Sequence, residues 1–269
     1  MKQVQAVLFD ISGTVLDYGS RGPVAAFVDL FANNGLVISE AEARKPMGKH
    51  KKDHIWAILS EPSIARRWAE SHGGAPPNVE DLESLYVEFT PILIEAIERH
   101  CDLIPGVLEV THELRRRGIR FANTTGFDSF MIDRLKRIAE QHGYKPDLWI
   151  TPDLVGGAGR PAPWMAFHAA RQFNLYPMST FVKIGDTLAD IEEAHSAGMW
   201  AVAVLRHGNE VGLAREAIEA LPYPEWQRIA DAARARLATA KPHYVIDSTA
   251  GLIVVIDQIN ARLARGEKP

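Results

Sequence analysis

The stretch AVLFDISGTVLD, residues 6–17, decides the fold class, because four apolar residues run directly into a carboxylate. A short and continuously apolar run is typical of a strand that is buried on both faces of a sheet. Similar runs recur along the chain, with helical patterns between them, at residues 119–123, 148–150, 181–184, 200–205 and 243–246. This alternation predicts an α/β fold: a Rossmann-like three-layer core with a parallel sheet.

The composition narrows the class of protein. The chain has 269 residues, of which 46% are apolar and 24% are charged, and its net charge is −4. This balance is typical of a globular protein and argues against a nucleic-acid partner. The sequence contains no apolar run of transmembrane length, so we expect no membrane partner. The single cysteine, Cys101, excludes an internal disulfide and fits a cytoplasmic location.

Residues 20–99 differ from the rest of the chain, since they contain several helical patterns and no convincing strand. Ser39 and Glu42 have the spacing of a helix capping box. Residues 81–99 form one long amphipathic pattern. We therefore expect two domains: a core domain of residues 1–19 and 100–269, and an inserted all-helical cap of residues 20–99.

Polar residues stand at the ends of four predicted strands, where active groups of parallel α/β sheets collect. Each of them alone is typical of a turn or a helix cap. Together they supply carboxylates for a cation, donors for phosphate oxygens and a positive charge, which is the equipment of phosphoryl transfer. Asp10 would be the nucleophile that forms an aspartyl phosphate. The candidate residues are Asp10, Thr125, Gly126, Arg160, Asp186 and Asp190.

The segments FDISGTVLD (residues 9–17), NTTG (123–126), the surroundings of Arg160 and GDTLAD (185–190) resemble, in order, the four motifs of the haloacid dehalogenase superfamily. In most phosphatases of that superfamily a second aspartate protonates the leaving oxygen. Here Ser12 occupies that position, and a serine is a poor general acid. Either the enzyme is impaired, or its leaving group needs no acid.

The cap offers a second reactive group in EARKPMGKHKKDH, residues 42–54. Lys51 and His54 are three residues apart and share a helical face, and Met47 lies one turn before Lys51. Crowding by positive neighbours and desolvation both lower the pKa of a lysine and free its amine to form a Schiff base with a carbonyl compound. The neighbours are Lys49, His50 and Lys52. The alternative is a solvated basic helix face.

Over nearly the whole chain the sequence looks like the phosphonoacetaldehyde hydrolase family. The resemblance is carried by the cap segment above and by TTG, GYKPD, TPD, GRPAPWM, KIGDT, AGMW and PHYVID. It implies hydrolysis of phosphonoacetaldehyde to acetaldehyde and phosphate, in the degradation of 2-aminoethylphosphonate. Lys51 would form the Schiff base, Asp10 would attack phosphorus, and His54 would transfer protons. The carbon then leaves as an enamine, which explains a site without the second acid.

The resemblance also implies a magnesium ion, a set of substrate contacts and a homodimer. The ion would be bound by Asp10, the backbone carbonyl of Ser12 and Asp186, with Asp190 in support. The phosphonate substrate, a small molecule, would be held by Thr125, Gly126, Arg160 and Met47.

Three positions depart from the family pattern, namely Ile11, Ser20 and Phe127. The family often has tryptophan, cysteine and tyrosine there. Because these residues line the expected site, a phosphatase or hydrolase acting on another small phosphonate or phosphate ester is the alternative. A member that binds phosphate or a protein partner without turnover is the non-enzymatic alternative.

Overall fold

The computed structural model describes residues 3–269, and a parallel six-stranded sheet lies at its centre. The strands are β1 (Ala6–Phe9), β2 (Arg120–Thr124), β3 (Leu148–Ile150), β4 (Phe181–Gly185), β5 (Trp200–Val204) and β6 (Tyr244–Ile246). Their order across the sheet is β3-β2-β1-β4-β5-β6. The expected α/β fold with a parallel sheet is therefore confirmed.

The cap consists of five helices between β1 and β2: α1 (Arg21–Asn33), α2 (Glu40–Arg44), α3 (Lys51–Leu59), α4 (Pro62–Ser71) and α5 (Val79–Arg99). Helix α2 begins with the predicted capping box, in which Ser39 and Glu42 each accept the other's backbone N–H. Helix α5 begins slightly before the predicted residue 81, because the side chain of Asn78 caps its first turn.

Seven further helices follow the cap in the chain, and together with the sheet they are called the core domain below. They are α6 (Val107–Arg116), α7 (Ser129–Gln141), α8 (Trp164–Phe173), α9 (Leu188–Ala197), α10 (Arg215–Ala220), α11 (Tyr223–Ala238) and α12 (Leu252–Ala264). Helices α6, α7 and α12 pack on one face of the sheet, and α8, α9 and α11 pack on the other. Alternate residues of β1 enter the two layers, Val7 and Phe9 on one side and Ala6 and Leu8 on the other.

The two segments that join the cap to the core domain run side by side. The N–H of Asp17 donates to the carbonyl of Asp102 (3.1 Å), and the N–H of Ile104 donates to the carbonyl of Val15 (2.8 Å). This arrangement ties both connections together at one place. Among residues 3–269, no helix is both long enough and apolar enough to cross a bilayer.

Candidate active site

The register of the central strands brings the predicted site residues to one edge of the sheet. The last residue of β1 pairs with Asn123 of β2 and with Ile184 of β4. Asp10, Thr125 and Asp186 follow these strands at nearly the same level. The carboxyl edge of a parallel sheet is the usual place for a ligand site, and here it faces the cap.

A small pocket lies between this edge and the cap. Its volume is about 20 Å³, roughly the space of one water molecule. The pocket is lined by Asp10, Ser12, Ser20, Pro23, Met47, Gly48, Lys51, Thr125, Gly126, Phe127, Arg160 and Thr187. A much larger cleft, of about 930 Å³, lies near Gln5, Arg120 and Thr180. That cleft is at the amino ends of the strands and contains none of the predicted site residues, so the small pocket is the candidate site.

Asp10 is buried and faces both positive and negative groups. Its Oδ1 lies 2.7 Å from Nη1 of Arg160. Burial raises the pKa of Asp10 and nearby Asp190 raises it further, while Arg160 and Lys183 lower it. A cation near Asp10 therefore favours the ionised form that a nucleophile needs.

Asp186 lies in the most negative part of the site. Its carboxylate accepts hydrogen bonds from the hydroxyls of Thr14 (3.3 Å) and Ser20 (2.9 Å) and from the N–H of Asn209 (2.7 Å). Burial and then Asp10 raise the pKa of Asp186 well above its usual value. A bound cation would stabilise the ionised form of Asp186 and so oppose this rise in its pKa.

Asp10, Asp186 and Asp190 together form a buried acidic cluster. Each offers one carboxylate oxygen, and these oxygens lie within 4.8 Å of one another. Such an oxygen set fits a hard divalent cation. The turn at Gly13 presses on this cluster: its φ is +74°, and a Cβ there would lie 2.2 Å from Oδ2 of Asp186. Ser12, whose carbonyl is the expected third ligand, lines the pocket beside this turn.

The predicted phosphate-binding Arg160 is held by buried carboxylates. Its Nη1 also lies 2.9 Å from Asp190, and its Nε lies 3.1 Å from Oε2 of Glu193. A second buried cation, Lys183, lies 3.0 Å from Asp190 and 3.2 Å from Glu193. The sequence analysis missed Lys183 and Glu193. The available signal was a lysine inside the otherwise apolar strand β4.

Lys51 begins helix α3 and lines the pocket from the cap side. It is 4% exposed, and its backbone N–H donates to the carbonyl of Gly126 in the core domain (3.2 Å). Burial, and after it Arg160, lowers the pKa of Lys51 to about 8, against the opposing charge of Asp10. At pH 7 about a tenth of such an amine is free, far more than of an ordinary lysine, so it can act as a nucleophile.

Of the two expected causes of the lowered pKa of Lys51, burial is confirmed as the largest, whereas crowding by basic neighbours is wrong. Two of these neighbours pair with acidic groups. His50 Nε2 lies 2.7 Å from Asp128, and Lys52 Nζ lies 2.5 Å from Glu83. The sequence pattern did not reveal these pairs because the acidic partners are distant in the chain.

His54 is fully buried one helical turn after Lys51. Its Nε2 donates to the carbonyl of Ala43 (2.8 Å), which leaves Nδ1 with a free lone pair. Nδ1 has no hydrogen-bond partner within residues 3–269. Burial, and then Lys51, lowers the pKa of His54 well below its usual value. A neutral histidine with an unused lone pair is suited to accept a proton.

The predicted substrate contacts lie at the seam between cap and core domain. The hydroxyl of Thr125 accepts the N–H of Phe127 (3.2 Å) and shapes the turn after β2. Gly126 is pressed so closely against the cap that a Cβ there would lie 2.2 Å from the carbonyl oxygen of Lys49. Met47, which is 9% exposed, closes the pocket from above.

Arg44 of the cap forms hydrogen bonds with the core domain. It donates to the carbonyls of Gly19 (2.7 Å) and Gly212 (3.0 Å) and to the side chain of Asn209 (3.3 Å). Asn209 also holds Asp186 through its N–H, so this loop contacts both the cap and the acidic cluster. The sequence analysis did not identify this contact.

Comparison with known proteins gives a consistent result. The family model of haloacid dehalogenase-like hydrolases matches residues 4–198. The chain is 40% identical to a phosphonoacetaldehyde hydrolase of Nitratidesulfovibrio vulgaris, with 99% of this chain and 94% of the relative covered. It is 41% identical to a phosphonoacetaldehyde hydrolase-like protein of Syntrophobacter fumaroxidans, with 99% and 95% covered.

A solved structure agrees with both sequence comparisons. The crystal structure of a phosphonoacetaldehyde hydrolase-like protein from Oleispira antarctica superposes with a TM-score of 0.96 at 41% identity. It covers 99% of this chain, and 96% of that chain is matched. The similarity therefore extends over the cap as well as the sheet.

Proposed function

Because the chain belongs to the haloacid dehalogenase-like hydrolases, and within them to the phosphonoacetaldehyde hydrolase family, we propose that it hydrolyses the carbon–phosphorus bond of phosphonoacetaldehyde. The products are acetaldehyde and phosphate. The enzyme is a hydrolase whose substrate is a small molecule, as its relatives indicate.

The observation that carries this proposal is the position of Lys51. A phosphate ester needs no lysine amine, but a carbon–phosphorus bond does, because a free carbanion is too unstable to leave. Lys51 is buried, has a pKa lowered to about 8 and shares its pocket with Asp10. The amine that would form the imine and the carboxylate that would accept the phosphoryl group therefore line the same small pocket.

The first step is imine formation. The Lys51 amine adds to the aldehyde carbon, and loss of water gives an imine that is protonated on nitrogen. The free lone pair on Nδ1 of His54 supports this step, because protons must move to and from the carbinolamine. The closed pocket, with space for about one water molecule, limits premature hydrolysis.

The second step transfers the phosphoryl group. A carboxylate oxygen of Asp10 attacks phosphorus, the carbon–phosphorus bond breaks, and its electron pair moves into the protonated imine to give an enamine. No alkoxide forms, so Ser12 suffices where phosphatases carry an acid. The enamine then takes a proton on carbon, and water releases acetaldehyde from Lys51. A second water hydrolyses the aspartyl phosphate to phosphate and restores Asp10.

Haloacid dehalogenase-like hydrolases generally use a divalent metal, and the buried acidic cluster could bind one. We propose Mg²⁺, held by Asp10, Asp186 and the backbone carbonyl of Ser12, with Asp190 in support. When bound, it would neutralise negative charge between the nucleophile and the phosphonate. Thr125, Gly126, Arg160 and Met47 would contact the substrate, with Arg160 positioned by its carboxylate partners.

The proposal extends to the domain arrangement, the assembly and the location. We infer a core domain of residues 1–19 and 100–269 and a cap of residues 20–99 that separate to admit substrate, since the pocket of about 20 Å³ is too small for it. A homodimer is proposed from the family resemblance. The cytoplasm is the proposed location, since a single cysteine and a small-molecule hydrolase fit a reducing compartment.

Borohydride trapping tests this function. The enzyme, phosphonoacetaldehyde and borohydride should give a reduced adduct on Lys51, identified by mass spectrometry of the digested protein. Lys51→Arg should lose both the adduct and phosphate release, whereas Lys52→Arg should keep both, because Lys52 pairs with Glu83. Absence of an adduct, with phosphate released from ordinary esters, would favour the alternative of a phosphatase or another hydrolase.

A further inference from the structure

Two aromatic rings lie near the amine of Lys51. Its Nζ lies 4.7 Å from the centroid of the Phe127 ring and 5.7 Å from that of the Phe27 ring. Phe127 belongs to the turn after β2, and Phe27 belongs to helix α1 of the cap. Both rings are buried. The Phe127 distance lies well within the range in which a ring face attracts a cation.

The amine has no carboxylate partner at contact distance. Within residues 3–269, no Asp or Glu oxygen lies within 4.0 Å of Nζ of Lys51. At longer range Asp10, Asp17 and Asp186 favour its charged form, and Arg160 disfavours it. No carboxylate therefore pairs directly with the amine, and the ring of Phe127 lies beside it.

The Phe27 ring is fixed on both of its faces. It stacks on the ring of His54, with centroids 3.9 Å apart and planes at 28°, and on the ring of Phe89, at 4.4 Å and 16°. Because His54 and Phe89 cover both faces of Phe27, only the edge of this ring is turned toward the amine, and a ring edge does not attract a cation. The ring face that is available to the amine is that of Phe127.

We propose that Phe127 stabilises the protonated imine of Lys51 and takes the place of a carboxylate counterion. This inference rests on the imine chemistry proposed above. An adjacent carboxylate could accept the proton of the imine, whereas a ring face attracts the cation and is no proton acceptor at neutral pH. The nitrogen stays protonated, as it must be to receive the electron pair of the carbon–phosphorus bond.

The contribution of the Phe127 ring depends on pH in a defined way. Neutral amine, aldehyde and one proton give the protonated imine and one water. At a pH above the pKa of the amine, which is about 8, this reaction creates a cation, so the ring contributes fully. At a lower pH the amine is already an ammonium ion, and the ring stabilises reactant and product alike.

Fluorinated phenylalanine tests this inference, because fluorine weakens the negative face of a ring while largely keeping its shape. Mono-, di- and trifluorinated residues are placed at position 127 and, as the matched control, at position 89. An Asp10→Asn background blocks phosphoryl transfer, so the imine reaches equilibrium. The readout is the fraction of Lys51 trapped by borohydride at about pH 9 and at about pH 6.

At about pH 9 the imine equilibrium constant should fall stepwise with fluorine number at position 127, by about threefold to tenfold for the trifluorinated ring. At about pH 6 the fall should be much smaller, and position 89 should show none at either pH. Equal trapping in all variants, or equal loss at both pH values, would overturn the inference. If the non-fluorinated protein gives no adduct, the proposed function itself fails.

Discussion

The Oε2 atom of Glu193 lies 3.1 Å from Nε of Arg160, so a residue outside the pocket holds the guanidinium that lines it. The other edge of Arg160 contacts Asp10 (2.7 Å) and Asp190 (2.9 Å). Lys183 completes this network from β4, with contacts of 3.0 Å to Asp190 and 3.2 Å to Glu193. Buried charges thus fix the orientation of Arg160 before substrate binds.

Glu193→Gln should lower kcat/KM by about tenfold or more, because a charged hydrogen bond to Arg160 is replaced by a weaker one. The loss should lie mainly in kcat, since Arg160 would shift toward Asp10 and Asp190. Steady-state kinetics with phosphonoacetaldehyde measures it. Glu192→Gln, at the exposed neighbouring position, is the control and should change neither constant. A Glu193→Gln enzyme with normal kcat and unchanged thermal stability would contradict a positioning role.

Arg44→Gln should favour the open arrangement of cap and core domain, because Arg44 donates to Gly19, Gly212 and Asn209 across the seam. We expect a KM increase of about tenfold, in line with the loss of charged hydrogen bonds. Small-angle scattering should show a larger radius of gyration than in the unaltered protein. Arg66→Gln, at an exposed position of α4, should leave both quantities unchanged. Identical scattering curves for Arg44→Gln and the unaltered protein would show that this contact does not hold the cap closed.

Chelation of divalent cations should abolish phosphate release, and Mg²⁺ should restore it. Titration calorimetry should detect Mg²⁺ binding to the unaltered protein and to Asp133→Asn, an exposed control, but not to Asp186→Asn. Saturating Mg²⁺ at about 100 times its Kd should also stabilise the fold by about 2.7 kcal/mol. Full activity after exhaustive chelation would rule out the proposed metal site.

The parts of the site that follow strand ends could be predicted from the sequence, because parallel topology alone brings them together. Asp10, Thr125 and Asp186 are of this kind. Lys183 and Glu193 could not be predicted, since a lysine in a strand and a glutamate in a helix are each ordinary. Their pairing depends on how α9 packs against β4, which periodicity does not reveal.

The environment of Lys51 illustrates the same limit. Its position in the site followed from its spacing to Met47 and His54 and from family resemblance. Desolvation was also expected to lower its pKa, but the expected crowding by basic neighbours was wrong, because His50 pairs with Asp128, which lies 78 residues further along the chain. Burial of the amine is a property of the closed cap against the core domain, and neighbouring residues in the sequence do not report it.

The rate should depend on pH through Lys51. Because burial lowers the pKa of this amine to about 8, kcat/KM should fall as pH drops below about 8 and the free amine is lost. His54 should add no step near pH 6.5, since burial lowers its pKa well below that value. A pH profile of kcat/KM measures this. A rate that stays constant from about pH 9 down to about pH 6 would contradict the role of the free amine.

Lys51→Met should make the protein more stable at neutral pH while abolishing activity. The pKa of Lys51 is lowered on folding from 10.5 to about 8, so the unfolded chain binds more protons between these values. The destabilisation is complete below about pH 8 and disappears as pH rises above 10.5. Removing the buried charge should therefore raise the free energy of unfolding at neutral pH by about 2–3 kcal/mol. Urea unfolding at about pH 7 and pH 10 measures the difference, which should shrink at the higher pH; a gain that does not change with pH would point to packing instead of charge.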